Sequence, residues 1–208
     1  MSTNLLTGAL CTALGAGVYH YVVAPRLTAK PLVKGFLPSY DHAVKTLRGQ
    51  RFGALATTAA GDSKPHVRHV LYKLDAAGEN ILVYGHVGAE KVKDVRAHPF
   101  AELAIYDSAS RTQVRVSGPA VVHHNDAVAH AQWTALATKD HVTQKSPPGA
   151  AYSPERVPVD EAEGNFSVIE VAVRGVDCVV LGQPREPFRV RFAVGDKGAV
   201  TQQTRVME

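Results

Sequence analysis

From residue 52 onward the chain is a succession of short segments rich in β-branched and aromatic residues, each bounded by turn residues. This pattern limits the fold more than any other feature. Segments 52–58 (FGALATT), 66–74 (HVRHVLYKL), 81–86 (ILVYGH), 101–106 (AELAIY) and 112–122 (TQVRVSGPAVV) are predicted strands, and 166–173, 177–181 and 188–194 complete the set. Ala60-Gly61-Asp62 and Asp75-Ala76-Ala77-Gly78 make the first two connections hairpins. Ser39 caps a predicted helix at 40–49, a second runs over 90–97 and closes at Pro99, and Asn125 or Asp126 caps a third that extends to about Lys139. The Pro- and Gly-rich stretch 146–163 reads as an exposed loop. Strands that follow one another through hairpins, with short helices inserted, predict a mainly β fold built on a closed antiparallel barrel. The 208-residue length allows one such domain, over 40–208, with a core that needs no staples.

Residues 1–39 form a separate unit. Residues 5–24 carry no Asp, Glu, Lys or Arg, and residues 25–39 hold three prolines and read as a connector. The uncharged run has the length of a membrane span, but Gly, Thr and His20 dilute it. Either it anchors the protein, with Arg26, Lys30 and Lys34 placing the main domain in the cytoplasm, or it is an extra helix docked on the domain or on a partner subunit. A cleaved signal peptide is a poor fit, since no basic segment precedes the run and Pro25 follows its best cleavage site. The two cysteines, Cys11 and Cys178, form no CxxC and read as reduced, buried thiols. The charge of +4, with no Lys/Arg run, suits a small anionic ligand and not a nucleic-acid coat. Phosphate-loop, dinucleotide, zinc-protease and hydrolase signatures are absent.

Chemistry concentrates in three segments. In Arg68-His69-Val70-Leu71-Tyr72-Lys73, alternation places Arg68, Val70 and Tyr72 on one face of a strand and His69, Leu71 and Lys73 on the other. Both faces mix charge and apolar bulk. Such a strand suits a ligand site at a subunit junction, its backbone bonding a planar ring while Arg68 grips an anion. An edge strand with solvated charges is the simpler reading of this spacing alone. The second segment, Tyr84 to Lys91, runs through Gly85 and Gly88 into a helix start, where exposed backbone N–H groups favour an anion. Lys91 in the first turn opposes the helix dipole, a placement that anion binding explains. The third is Thr112–Gly118, in which Gln113 offers both a donor and an acceptor to a ring edge.

In this order the pieces resemble the FMN-binding split barrels related to pyridoxamine 5′-phosphate oxidase, from about Tyr40 to Phe192, and most of all the Alr4036-type subgroup. The resemblance rests on the Arg68–Lys73 strand, the Ala89-Glu90-Lys91 helix start, the Thr112–Gly118 strand and the Pro-rich loop. Asn165-Phe166 and the Arg189–Phe192 ending complete it. It implies a Greek-key-like split β-barrel and FMN held at the interface of a homodimer. By position, Arg68 and Lys91 would hold the phosphate, and the strand Arg68, His69, Val70, Leu71, Tyr72, Lys73 would lie along the flavin and ribityl chain. Tyr84 and Gly85 would border the cofactor, Gln113 would reach it from a later strand, and Arg189 would lie near the ring. Lys73 and Arg185 are the positions for an anionic small-molecule substrate. No catalytic acid or base and no metal ligand is assigned. Gln144 and Ser146 only echo the family's adjacent Gln-Ser pair.

The chain also departs from the oxidases. Glu90 stands where they carry a second basic phosphate contact, and Val180 where they carry a tryptophan against the flavin. Their Arg-x-His substrate clamp reads Arg185-Glu186-Pro187, and their phosphate-binding helix residues have no clean match around Trp133, Leu136 and Lys139. An FMN-dependent oxidoreductase with an unknown substrate is therefore the expected function. A non-enzymatic flavin, haem or deazaflavin binder on the same barrel is the alternative, and an interaction protein that has lost its cofactor is a third reading. The adjacent His123 and His124 diverge on a strand and read as surface or loop residues. Asp126 and His130 read as a helix cap and an exposed histidine, and Trp133 as a core anchor.

Overall fold

A computed structural model describes residues 38–136, 159–181 and 188–206. The expectations for residues 5–24, the connector before Pro38, Lys139, most of the Pro-rich stretch and Arg185 lie outside the described residues. Cys11, Gln144 and Ser146 do as well. No helix among the described residues is long and apolar enough to cross a membrane.

Helix α1 (Tyr40–Gly49) begins where the Ser39 side chain accepts a hydrogen bond from the His42 N–H, and it buries Ala43, Thr46 and Leu47 at helical spacing. Five strands and a helix follow: β1 (Phe52–Thr58), β2 (Pro65–Leu74), β3 (Asn80–His86), α2 (Glu90–Ala97), β4 (Phe100–Asp107) and β5 (Thr112–His123). Then come α3 (Ala127–Ala135), α4 (Val159–Gly164), β6 (Phe166–Ala172), β7 (Gly175–Val180), β8 (Phe188–Val194) and β9 (Val200–Val206). All pairings are antiparallel, in the order β4-β1-β2-β3-β6-β5-β7-β8-β9, and β4 also pairs with β5. That last pairing closes β1, β2, β3, β6, β5 and β4 into a six-stranded barrel, from which β7, β8 and β9 extend.

Closure depends on β5 changing neighbours along its length. Thr112–Ser117 pairs with both β4 and β7, and Ala120–His123 pairs with β6. The turnover point is Gly118, where a Cβ would lie 1.8 Å from the Ala172 carbonyl oxygen, so no other residue fits without moving a strand. Register then explains the alternating burial. Leu55, Leu103, Val116, Val176 and Phe192 are cross-strand partners in one inward row, each at most 3% exposed. Helices α1 and α2 cover this core with Leu47, Val92 and Val95. Strand β6 is buried on both sides. Ile169 and Val171 face the barrel, while Phe166 and Val168 join Leu82, Ala129, Trp133 and Ala162 in a second cluster under α3 and α4.

Three elements differ from the sequence expectation. Helix α3 ends at Ala135 and not near Lys139, because Leu136 is already extended and its N–H closes the last turn. The end of the stretch read as a loop is helix α4. Strand β9 was not expected at all. It is polar and exposed along nearly its whole length and forms by edge pairing with β8 through the tight turn at Asp196–Gly198, where Lys197 and Gly198 have positive φ.

Candidate ligand site at the β2–β3 seam

Strand β2 pairs with β1 along Pro65–Leu71 but with β3 only at Tyr72, Lys73 and Leu74. Beyond Tyr72 the two strands part, and β3 continues against β6. Among the described residues, one edge of β2 between 65 and 71 thus has no strand neighbour, which leaves backbone groups of Arg68 to Leu71 available to a ligand. The faces divide as alternation requires. Val70 and Tyr72 are buried inward, with Arg68 half-buried on the same face, whereas Leu71 is partly covered and His69 and Lys73 are exposed outward. The solvated-charge reading of Arg68 is therefore wrong. Its guanidinium Nη1 donates to Thr57 Oγ1 at 2.5 Å and to the His66 carbonyl at 3.2 Å, and its Nη2 donates to Asp94 Oδ2 at 3.1 Å.

Lys91 reaches the same place from the first turn of α2. Its Nζ lies against the bare Cα of Gly85, where a Cβ would stand only 2.6 Å away. Burial lowers the Lys91 pKa, and the positive charge of Arg68 lowers it further. Among the described residues its ammonium has no hydrogen bond or carboxylate partner. Two cations held close together, one of them half-buried and without a carboxylate partner among the described residues, suit an anion. Arg68, Gly85 and Lys91 thus lie close together. The α2 N-cap, Ala89, makes no side-chain capping bond, and the Val92 N–H donates instead to the Ala89 carbonyl at 2.9 Å.

The remaining candidates lie elsewhere. Tyr84 points to the second cluster, where it stacks on Phe166 and its hydroxyl donates to Gln132 Oε1 at 3.1 Å. His69 and Gln113 meet on the outer wall of the barrel, in a hollow of about 370 Å³ with Phe52, Ala54, Ala104 and Tyr106. Arg189 shares that outer face and forks onto Asp177, with Nε 3.0 Å from Oδ1 and Nη2 2.7 Å from Oδ2. Arg115 and Arg191 bind the same carboxylate. Burial pushes the Asp177 pKa up, and the hydrogen bonds from Arg189, Arg115 and Arg191 more than reverse this, leaving it at about 2. Val180, at the tryptophan position, is buried.

Sequence reasoning missed Asp94 and Asp177, the two carboxylates that orient these arginines. Asp94 carried a signal, since it sits between Val92 and Val95 in the stripe that α2 turns to the core. Cys178 is buried as expected, its pKa pushed up to about 12 by burial and by Asp177. Trp133 is a core anchor against Phe166, and Asp126 caps α3 by accepting from the Ala129 N–H. His123 is less exposed than a surface reading implies and bonds Asp126, while His130 bonds Glu163.

Comparison with known proteins places this architecture. The family model described as pyridoxamine 5′-phosphate oxidase matches residues 40–179. A pyridoxine/pyridoxamine 5′-phosphate oxidase of Myxococcus xanthus is 29% identical over 165 residues, covering 78% of this chain and 74% of that protein. One from Acinetobacter baumannii is 31% identical over 86 residues, 41% of this chain and 39% of its own length. Among solved structures, a pyridoxamine 5′-phosphate oxidase-related, FMN binding protein of Nostoc punctiforme has a TM-score of 0.66 at 20% identity, covering 81% of this chain and 95% of that one. PhzG of Burkholderia lata, solved with tetrahydrophenazine-1-carboxylic acid, has a TM-score of 0.62 at 16% identity, covering 79% and 86%. The structural neighbours share the barrel, and the family model runs unbroken from α1 through the β2–β3 seam into β7. The chain belongs to the pyridoxamine 5′-phosphate oxidase family.

Proposed function

We propose that this protein is an FMN-dependent oxidoreductase that works as a homodimer. The observation that carries the reading is Lys91, half-buried and without a carboxylate partner among the described residues, beside Arg68 at the open seam between β2 and β3. The residues fit a flavin phosphate, since a phosphate monoester offers three strong acceptors to two converging cations. The free edge of β2 supplies backbone partners for the flat, hydrogen-bonding ring system beyond the phosphate. Bound FMN would supply a hydride acceptor or donor at N5. The chain's own residues bind and orient the group. Arg68 and Lys91 neutralise the phosphate, and the 68–73 backbone aligns the ring. Lys73, exposed on the outward face, is available to a small anionic substrate, as is Arg185 by sequence.

A second copy follows from the division of the site. Arg68 and Lys91 lie inside the wall of one chain, while Gln113 and Arg189 lie outside it. A single chain cannot close both groups on one ligand. The outer wall also exposes Phe52, Val67, Phe100 and Tyr106, each at least half exposed, across β1, β2 and β4. A two-fold partner covers this patch and brings its own Gln113 and Arg189 toward the first chain's seam.

The absorption spectrum of the purified protein tests the assignment. Flavin bands at about 370 and 450 nm are expected. A Soret band instead would favour a haem binder, and no band after reconstitution with FMN would favour an interaction protein without a cofactor.

A further inference from the structure

We infer that Asp94 is a positioning residue for phosphate recognition, holding the Arg68 guanidinium so that its remaining donors and the Lys91 ammonium converge on one anion. The inference rests on the FMN reading above.

Asp94 is 1% exposed, which is unusual for a carboxylate on a surface helix. Its Oδ2 accepts from Thr57 Oγ1 at 2.7 Å and Arg68 Nη2 at 3.1 Å, with His66 Nδ1 also at 3.1 Å. Its Oδ1 accepts from the Ala60 N–H at 3.2 Å. Burial raises its pKa, and the hydrogen bonds from Thr57, His66, Arg68 and Ala60 outweigh that and lower it. The carboxylate is therefore a charged hub that ties together β1, the β1–β2 hairpin, β2 and α2.

The hub disposes of Arg68 in a definite way. Both Nη1 hydrogens are used, on Thr57 and the His66 carbonyl, and one Nη2 hydrogen is used on Asp94. A guanidinium has five N–H donors, so Nε–H and the second Nη2–H remain. Those two form one edge of the planar fork, the geometry that grips a phosphate through two parallel bonds. Asp94 stands one helical turn beyond Lys91 on α2, and Val92 and Val95 seat that helix in the core. One rigid helix thus carries both the ammonium and the carboxylate that aims the guanidinium. Asp94 also offsets one of the two positive charges, which lets them sit together before the anion arrives.

A purely structural ion pair would stabilise the fold without regard to the ligand's phosphate. FMN and riboflavin differ only by that phosphate, so titration of the flavin-free full-length protein with each separates the two roles. Asp94→Asn is expected to weaken FMN by about tenfold or more while riboflavin changes less than about twofold. Thr57→Val removes the hydroxyl shared by Arg68 and Asp94 but leaves the carboxylate. It should give a smaller loss, again confined to FMN, and it carries the test if Asp94→Asn does not fold. Equal losses for both flavins, unchanged FMN affinity, or tighter FMN in either folded variant would overturn the inference. Wild-type protein that binds FMN no better than riboflavin would instead overturn the phosphate assignment itself, a separate result.

Discussion

Replacing Gly85 by alanine tests the anion site through a residue that has no side chain of its own, since its carbonyl bond from Ser167 Oγ is unaffected by the change. A Cβ at 85 would lie 2.6 Å from Lys91 Nζ and 2.8 Å from Cε, where ordinary contact begins near 3.4 Å. The lysine tip must therefore retreat by about 0.8 Å, and it can, because the obstacle is the far end of a flexible side chain. The strand loses nothing else. Alanine gains about 0.5–1 kcal/mol over glycine within a strand, against about 0.5–1.5 kcal/mol for an off-rotamer lysine. The unfolding free energy should change by less than about 1 kcal/mol. Flavin affinity should not be so tolerant. A charge-assisted hydrogen bond contributes about 1.5–3 kcal/mol, so displacing Lys91 from the phosphate should weaken FMN by roughly tenfold to a hundredfold. Fluorescence titration of FMN into the flavin-free protein gives the number, with riboflavin as a control that should barely move. The double-mutant cycle with Lys91→Ala is the sharper measurement. If Gly85→Ala acts by moving the ammonium, its effect should vanish once the ammonium is gone. A full loss that persists in the Lys91→Ala background would show that Gly85 acts through backbone geometry and not through Lys91.

Other outcomes follow from the rest of the molecule. The Asp177 pKa, lowered from 3.8 to about 2, contributes about 2 kcal/mol of stability that is present above about pH 5 and is lost as pH falls from there toward 2. Asp177→Asn should remove that part of the acid slope in denaturant titrations at pH 5 and pH 3, and an unchanged slope would refute the assignment. Phe52→Glu together with Tyr106→Glu should give a monomer in sedimentation that binds FMN poorly, and a monomer with undiminished FMN affinity would exclude the two-chain site. Pyridoxine 5′-phosphate should be turned over poorly, because Pro187 replaces the expected histidine and Val180 the tryptophan. A kcat/KM of roughly 10⁴ M⁻¹s⁻¹ or more would contradict this.

Local pattern determined more of this protein than its size suggests. Strands β1 and β8 and helices α1 and α2 are legible to the residue, because β-branched alternation and a Ser39 cap are short-range signals that burial later reinforces. Arg68 and Lys91 could also be singled out from the sequence, because a cation on an otherwise apolar strand face and a lysine in a first helical turn each violate a local rule. Tertiary structure decided what those violations mean. Only closure of the barrel brings the Lys91 tip over Gly85, and only the parting of β2 from β3 exposes the edge beside them. Asp94 and Asp177 stayed hidden because their partners sit on other elements, Arg68 26 residues from Asp94 and Arg189, Arg191 and Arg115 12, 14 and 62 residues from Asp177, and only the packing of strands and helix brings them together. Strand β9 stayed hidden for the opposite reason. It has almost no buried side chains to pattern, and only the open edge of β8 makes it a strand. The division of the candidate residues between the two sides of one wall is likewise a property of the closed sheet, because strand register, which no single segment encodes, sets which faces meet.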